Sequence, residues 1–196
     1  MKKLVTIAFS FMFLVCFVSY NEAAEVIKNG TLVSTDTKTQ GNWKNKYGKD
    51  GAIIISDSET LPDYIKEVAC KNNNLFLRAE NTDETRNLLS KSSNNRIAAC
   101  WFNSISMEFI VSPKYSKSFV LTMYFVDDTN ARIQQIELLD PKNDSVISKK
   151  DIREFKDGVY LSWNISQAVK VRISNAGSVN AVVSGIFFDP AKGKNS

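Results

Sequence analysis

Residues 159–165 read Val159-Tyr160-Leu161-Ser162-Trp163-Asn164-Ile165. Val159, Leu161, Trp163 and Ile165 alternate with Tyr160, Ser162 and Asn164. A second run follows at once, in which Val169, Val171 and Ile173 alternate with Lys170 and Arg172. Successive side chains of a β-strand point to opposite faces, so a period of two gives each run one apolar face for a core. Outward from this pair, strand-like runs recur at 51–55, 67–70, 75–78, 96–102, 106–111, 119–126, 132–139 and 145–148. The closing run, 181–188, is apolar on both faces, which suits a central strand covered on both sides.

Turn formers separate the runs: Lys71-Asn72-Asn73-Asn74, Ser92-Ser93-Asn94-Asn95, Pro141-Lys142-Asn143-Asp144, Asp157-Gly158 and Asn175-Ala176-Gly177. Short strands at intervals of roughly 8–12 residues make a sandwich or a barrel. The expectation is an all-β chain, a single antiparallel β-sandwich of about ten strands over residues 39–190. Residues 25–38 are an N-terminal extension or first strand, and 191–196 a C-terminal tail. The one helical candidate is 82–90, with Asp83, Glu84, Arg86, Leu88 and Leu89.

The chain of 196 residues is long enough for one domain with a substantial core. Its 43% hydrophobic and 23% charged residues are those of a globular protein. The net charge of +4 is spread over scattered lysines (Lys44, Lys46 and Lys49; Lys149 and Lys150; Lys192 and Lys194) rather than one stripe, which argues against a nucleic-acid partner. There is no histidine, so Ser-His-Asp and Cys-His pairs and histidine-based zinc motifs cannot form. Acids such as Glu108, Asp127 and Glu137 form no paired motif of the kind a glycosidase needs. The expectation is a protein that is not an enzyme.

Lys2 and Lys3 precede an apolar run from Leu4 to Tyr20, and Asn21-Glu22-Ala23-Ala24 breaks it. That order marks residues 1–24 as a signal peptide cleaved after Ala23 or Ala24, and the destination as secreted, periplasmic or extracellular. Only an uncleaved leader would tie the chain to a membrane. Cys16 lies inside the apolar run behind Val15, where lipidation wants a small residue. Cys70 and Cys100 remain after cleavage. They either form a disulfide in an oxidising compartment or stay as buried free thiols in their apolar runs.

Several blocks carry a resemblance. They are Thr39-Gln40-Gly41-Asn42-Trp43-Lys44, Tyr47-Gly48-Lys49-Asp50-Gly51, Leu61-Pro62-Asp63-Tyr64, Arg96-Ile97-Ala98-Ala99-Cys100-Trp101 and Leu121-Thr122-Met123-Tyr124-Phe125-Val126-Asp127. The series continues with Arg132, Gly158-Val159-Tyr160-Leu161-Ser162-Trp163-Asn164-Ile165-Ser166 and Asn180-Ala181-Val182-Val183-Ser184-Gly185-Ile186-Phe187-Phe188. In this order they resemble a carbohydrate-binding-module-like domain, galactose-binding-like and of jelly-roll type, found in secreted bacterial proteins. The chain departs from that pattern at Asp128-Thr129, where a second aromatic would be expected, and at Cys100, where a small polar residue would be. The resemblance implies a fold more firmly than a ligand, since such architectures host many functions.

The candidate ligand-binding residues are Trp43, Tyr47, Asp127, Arg132 and Arg96. Trp43 and Tyr47 lie in a Gly/Lys/Asn loop, where a ring is either a platform for a sugar or a plug over a sheet end. Asp127 and Arg132 flank a loop; they either shape it as a hydrogen-bonded pair or contact sugar hydroxyls. With Asp128 and Asn130 they supply oxygen ligands of the type Ca²⁺ takes, and no other cofactor is implied. Arg96 and Arg86 join a polar site from neighbouring loops. The leading reading is a secreted binding module for a glycan or glycosylated surface. The alternative is a structural or adhesion protein that binds another protein.

Overall fold

The computed structural model describes residues 28–177 and 179–191; the leader expected at 1–24 and most of the tail at 191–196 lie outside them. These residues form fifteen strands, numbered in chain order, and every pairing is antiparallel. The first sheet runs Thr31–Asp36 (β1), Val159–Ile165 (β12), Phe119–Phe125 (β9), Gly185–Pro190 (β15), Gly51–Ile54 (β2), Ser58–Thr60 (β3). The second runs Val146–Arg153 (β11), Ile133–Leu139 (β10), Val169–Asn175 (β13), Ser106–Pro113 (β8), Ile65–Lys71 (β4). A third, small sheet runs Ala181–Val183 (β14), Arg96–Asn103 (β7), Asn74–Ala79 (β5), with Leu88–Leu89 (β6) also paired to β7. From β8 onward the long strands, apart from the β10–β11 hairpin, switch between the first and second sheets, the alternation of a jelly-roll sandwich.

The period-two runs bury the faces expected of them. Val159, Leu161, Trp163 and Ile165 on β12 meet Val169, Val171 and Ile173 on β13 in one core, together with Leu121, Met123 and Phe125 of β9 and Phe109 of β8. Lys170 and Arg172 stay outside, tied to Glu108. β9 is buried along its whole length because its second face is covered too. There Tyr124, Tyr160, Phe187 and Ile54 form a separate cluster under Trp43 and Leu88. At the bottom of that layer the Thr122 hydroxyl donates to Ser162 Oγ at 2.9 Å.

Three details differ from the sequence reading. There are fifteen strands rather than about ten, because β3, β6 and β14 have only two or three residues each. The run 181–188 is two strands: Ser184 donates its N–H to Tyr124 O and accepts from Ile55, and the chain passes there from the third sheet to the first. Residues 82–90 are not helical. Their carbonyls are claimed from outside the segment: Arg96 donates to Thr85 O and Asn87 O, the Tyr124 hydroxyl to Arg86 O, and Gly41 N–H to Thr85 O. A Cβ at Gly41 would run into the Asn87 carbonyl, so this close approach requires glycine.

β4–β5 and β7–β8 are two arms of one bent ribbon. β4 pairs β8 in the second sheet, while β5 pairs β7 in the third. The bend falls at Asn72, whose φ of +57° suits asparagine, and the Asn103 amide donates to Asn72 O at 2.6 Å. The third sheet is held to the sandwich by Gln134, on the inward row of β10. Its fully buried amide donates to Val182 O at 3.0 Å and accepts from Val182 N at 2.9 Å. Replacing Gln134 by Leu strands both Val182 groups, at about 1–3 kcal/mol for each unpaired buried group. Chemical denaturation of Gln134→Leu should therefore show a loss of about 2–4 kcal/mol; a change within about 0.5 kcal/mol, the usual surface effect, would mean that this clasp contributes nothing.

Candidate ligand-binding face

Trp43 and Tyr47 belong to a lid over the outer face of the first sheet. Trp43 O accepts from Lys46 N and Tyr47 N, which curls the loop into one turn. The Trp43 ring is 6% exposed, lies 5.4 Å from Phe187, and donates its indole N–H to Leu89 O at 2.7 Å. Tyr47 stacks on Tyr160 at 4.3 Å, and its hydroxyl donates to Asp36 at 2.8 Å. Trp43 therefore presents no ring face to solvent, and its position is that of a plug.

Arg96 lies beneath the same lid. Its guanidinium spans Thr85 O, Asn87 O and Asn42 Oδ1, so it fastens the 80–90 segment to the Trp43 loop. Asp127 and Arg132 form a pair at 2.6 Å that organises the loop between β9 and β10. Asp127 is fully buried and also accepts from Thr129 N, Thr129 Oγ1 and Arg132 N. Burial pushes its carboxyl up, but hydrogen bonds from Arg132 and Thr129 outweigh this and hold it below the ordinary carboxylate range. Arg132 reaches on to Asn180 Oδ1 at 2.8 Å. With the Asp127 oxygens so engaged, the loop is shaped by this pair; among the described residues no three His, Cys, Asp or Glu side chains gather where a metal ion could sit.

Beside this loop, β5, β7 and β14 border a hollow. The hollow, with about 300 Å³ of free space, open solvent included, is lined by Phe76, Cys100, Val126, Asp128, Arg132 and Asn87, among others. Inside it there is room for roughly one water. Phe76 stands half-exposed at its mouth, edge-on to Phe102 at 6.4 Å. An ion network borders it. Arg78 grips both Glu84 oxygens at 3.1 and 2.8 Å, Arg86 donates to the same carboxylate at 2.9 Å, and both arginines approach Asp128 at 3.3 and 3.7 Å. Those two guanidinium groups hold the Glu84 carboxyl down at about 2. The face thus joins one apolar ring with fixed donors and acceptors.

Of the five candidate ligand-binding residues, only Arg132 lines this hollow, and Asp127 is its ion-pair partner. Trp43, Tyr47 and Arg96 form the neighbouring lid. Asp128, which also lines the hollow, was expected only as an oxygen ligand for Ca²⁺, and Phe76, Arg78 and Glu84 were not expected at a site. The signal was Leu75-Phe76-Leu77, three apolar residues in succession within a short strand bounded by Asn74 and Arg78, which no one-sided strand needs. A second notch, larger at about 610 Å³ of free space and wide open, lies at the ribbon bend among Asn72, Asn73, Asn74, Asn103, Ile105 and Ser106. Cys70 and Cys100 are both free, on β4 and β7, and burial pushes each thiol up to about 11, so both stay protonated at neutral pH.

No family model and no curated protein matches the chain. Among solved structures it is similar to a native family 35 carbohydrate-binding module from Clostridium thermocellum, with 13% identity, 71% of this chain and 98% of that one covered, and a TM-score of 0.38. The CBM32-1 and CBM32-2 domains of Clostridium perfringens ZmpB, in complex with GalNAc, share 14% identity over 87% of this chain and 42% of that one, with a TM-score of 0.42. The enzymatically active domain of tailspike protein 4 from bacteriophage CBA120 shares 10% identity over 83% and 21%, with a TM-score of 0.34. All three are distant in sequence and in shape.

Because Asp127 titrates lower in the folded than in the unfolded chain, its contribution is complete above the unfolded value of about 4 and is lost as pH falls below it. Asp127→Asn, which leaves Arg132 without its charged partner, should cost about 3 kcal/mol at neutral pH. Its unfolding free energy should also fall less steeply than wild type between about pH 5 and pH 2. Parallel acid profiles for the two proteins would contradict this role.

Proposed function

We propose that this protein is a secreted, non-catalytic binding module that takes a glycan, free or on a glycosylated surface, at the hollow bordered by β5, β7 and β14. The observation that carries this reading is Phe76: a half-exposed ring beside a water-sized hollow, bordered by Arg78, Arg86 and Asp128. A pyranose offers one apolar face and a rim of hydroxyls, so it calls for one flat ring and a few fixed polar partners. The hollow is too small for a sugar ring and suits a single substituent of one lying over Phe76. Charged donors and acceptors make the stronger hydrogen bonds to such hydroxyls.

Hydrolysis is a poor fit to the same groups. A glycosidase needs one carboxyl that keeps its proton near neutral pH, and Glu84 is held far below that by Arg78 and Arg86.

A glycan array probed with wild type, Phe76→Ala and Asp128→Ala tests this. Wild type should bind at least one glycan class, and each variant should lose about ten-fold or more, roughly 1.4 kcal/mol, while keeping its fold. Folded wild type that binds no glycan, or undiminished binding by Phe76→Ala, would overturn the reading.

A further inference from the structure

β5 is the free edge of the third sheet, since it pairs β7 on one side only. Leu75, Phe76 and Leu77 are 57%, 49% and 39% exposed in succession. Neighbours on a strand point to opposite faces, so apolar side chains are exposed on both faces of this strand as well as along its edge. Exposed apolar edges are ready to pair with another strand, and folded proteins usually blunt them with charge, proline or a bulge. Here the bulge comes late, between Leu77 and Ala79, which leaves Asn74 to Leu77 flat.

From the pattern along this edge we infer that its occupant is the same edge of a second copy of the chain. A two-fold interface must be complementary to itself, and Leu75-Phe76-Leu77 reads the same in both directions. In an antiparallel pairing centred on Phe76, each Leu75 faces Leu77 of the second copy, the two Phe76 rings meet at the axis, and Asn74 falls opposite Arg78. Aromatic and aliphatic cross-strand pairs are favourable and no like charges meet. Centring on Leu77 instead would set Phe76 against Arg78; centring on Arg78 would set that guanidinium against itself. The two third sheets become one continuous sheet, with both Phe76 rings on the same outer face. Six edge residues and three side chains cover less than the roughly 1,600 Å² of a standard interface, so the dimer is a weak one that forms in the micromolar range.

Sedimentation equilibrium of the mature chain, residues 25–196, over roughly 1–500 μM tests the proposal. Wild type should pass from the chain mass to twice that mass. Leu75→Lys, which places an ammonium in each Leu75–Leu77 contact, should stay at the chain mass with an unchanged circular dichroism spectrum. Val146→Lys, at an equally exposed residue on the edge strand of the second sheet, should dimerise like wild type. Wild type that is monomeric throughout, a dimer that persists in Leu75→Lys, or one lost in Val146→Lys would each overturn it. Glycan binding is a separate readout: a monomer that binds glycan would refute the dimer and leave the proposed function standing.

Discussion

The side-chain amide of Gln134 is the joint on which the third sheet depends. It lies in the same inward row as Ile136 and Leu138, where an unpaired amide would cost several kcal/mol. It is tolerated because Val182 offers both a carbonyl and an N–H at hydrogen-bonding distance. That contact fixes β14 just before the chain turns at Ser184 into β15. β7 is then registered on β14 by Val183 opposite Trp101, and β5 on β7 by Phe76 opposite Cys100. The position of the exposed ring is therefore set by a polar contact inside the sandwich rather than by the apolar core alone.

The loops around the face are held by carbonyls and buried charge. Arg96 and Tyr124 take three successive carbonyls of the 80–90 segment, and Asp127 gathers the turn after β9. The outer network of Arg78, Glu84, Arg86 and Asp128 is different: its members are 18–39% exposed, and pairs so placed contribute little to stability. Their effect is geometric, since each holds another in a defined orientation beside Phe76. A rigid rim of this kind lowers the ordering cost that a ligand would otherwise meet.

The sandwich was legible in the sequence because one-sided burial leaves a period of two, as in β12 and β13. The Trp43 loop was legible only as an alternative. An aromatic among Gly, Lys and Asn reads as platform or plug, and the choice depends on Phe187 and Leu89, more than 40 residues away along the chain. The 82–90 segment reads as a helix because its carbonyl partners, Arg96, Tyr124 and Gly41, come from other elements. Phe76 was hidden for a related reason: whether a strand in a succession of strands is central or a free edge is a property of topology, and local pattern carries it only as a missing alternation.

The most direct measurement is amide chemical-shift mapping of the protein titrated with a panel of neutral and acidic mono- and disaccharides. The account predicts perturbations that cluster on residues 74–79, 98–102 and 126–132 and leave the Trp43 loop, 41–50, unchanged. Perturbations centred on that loop, or none with any sugar, would contradict it.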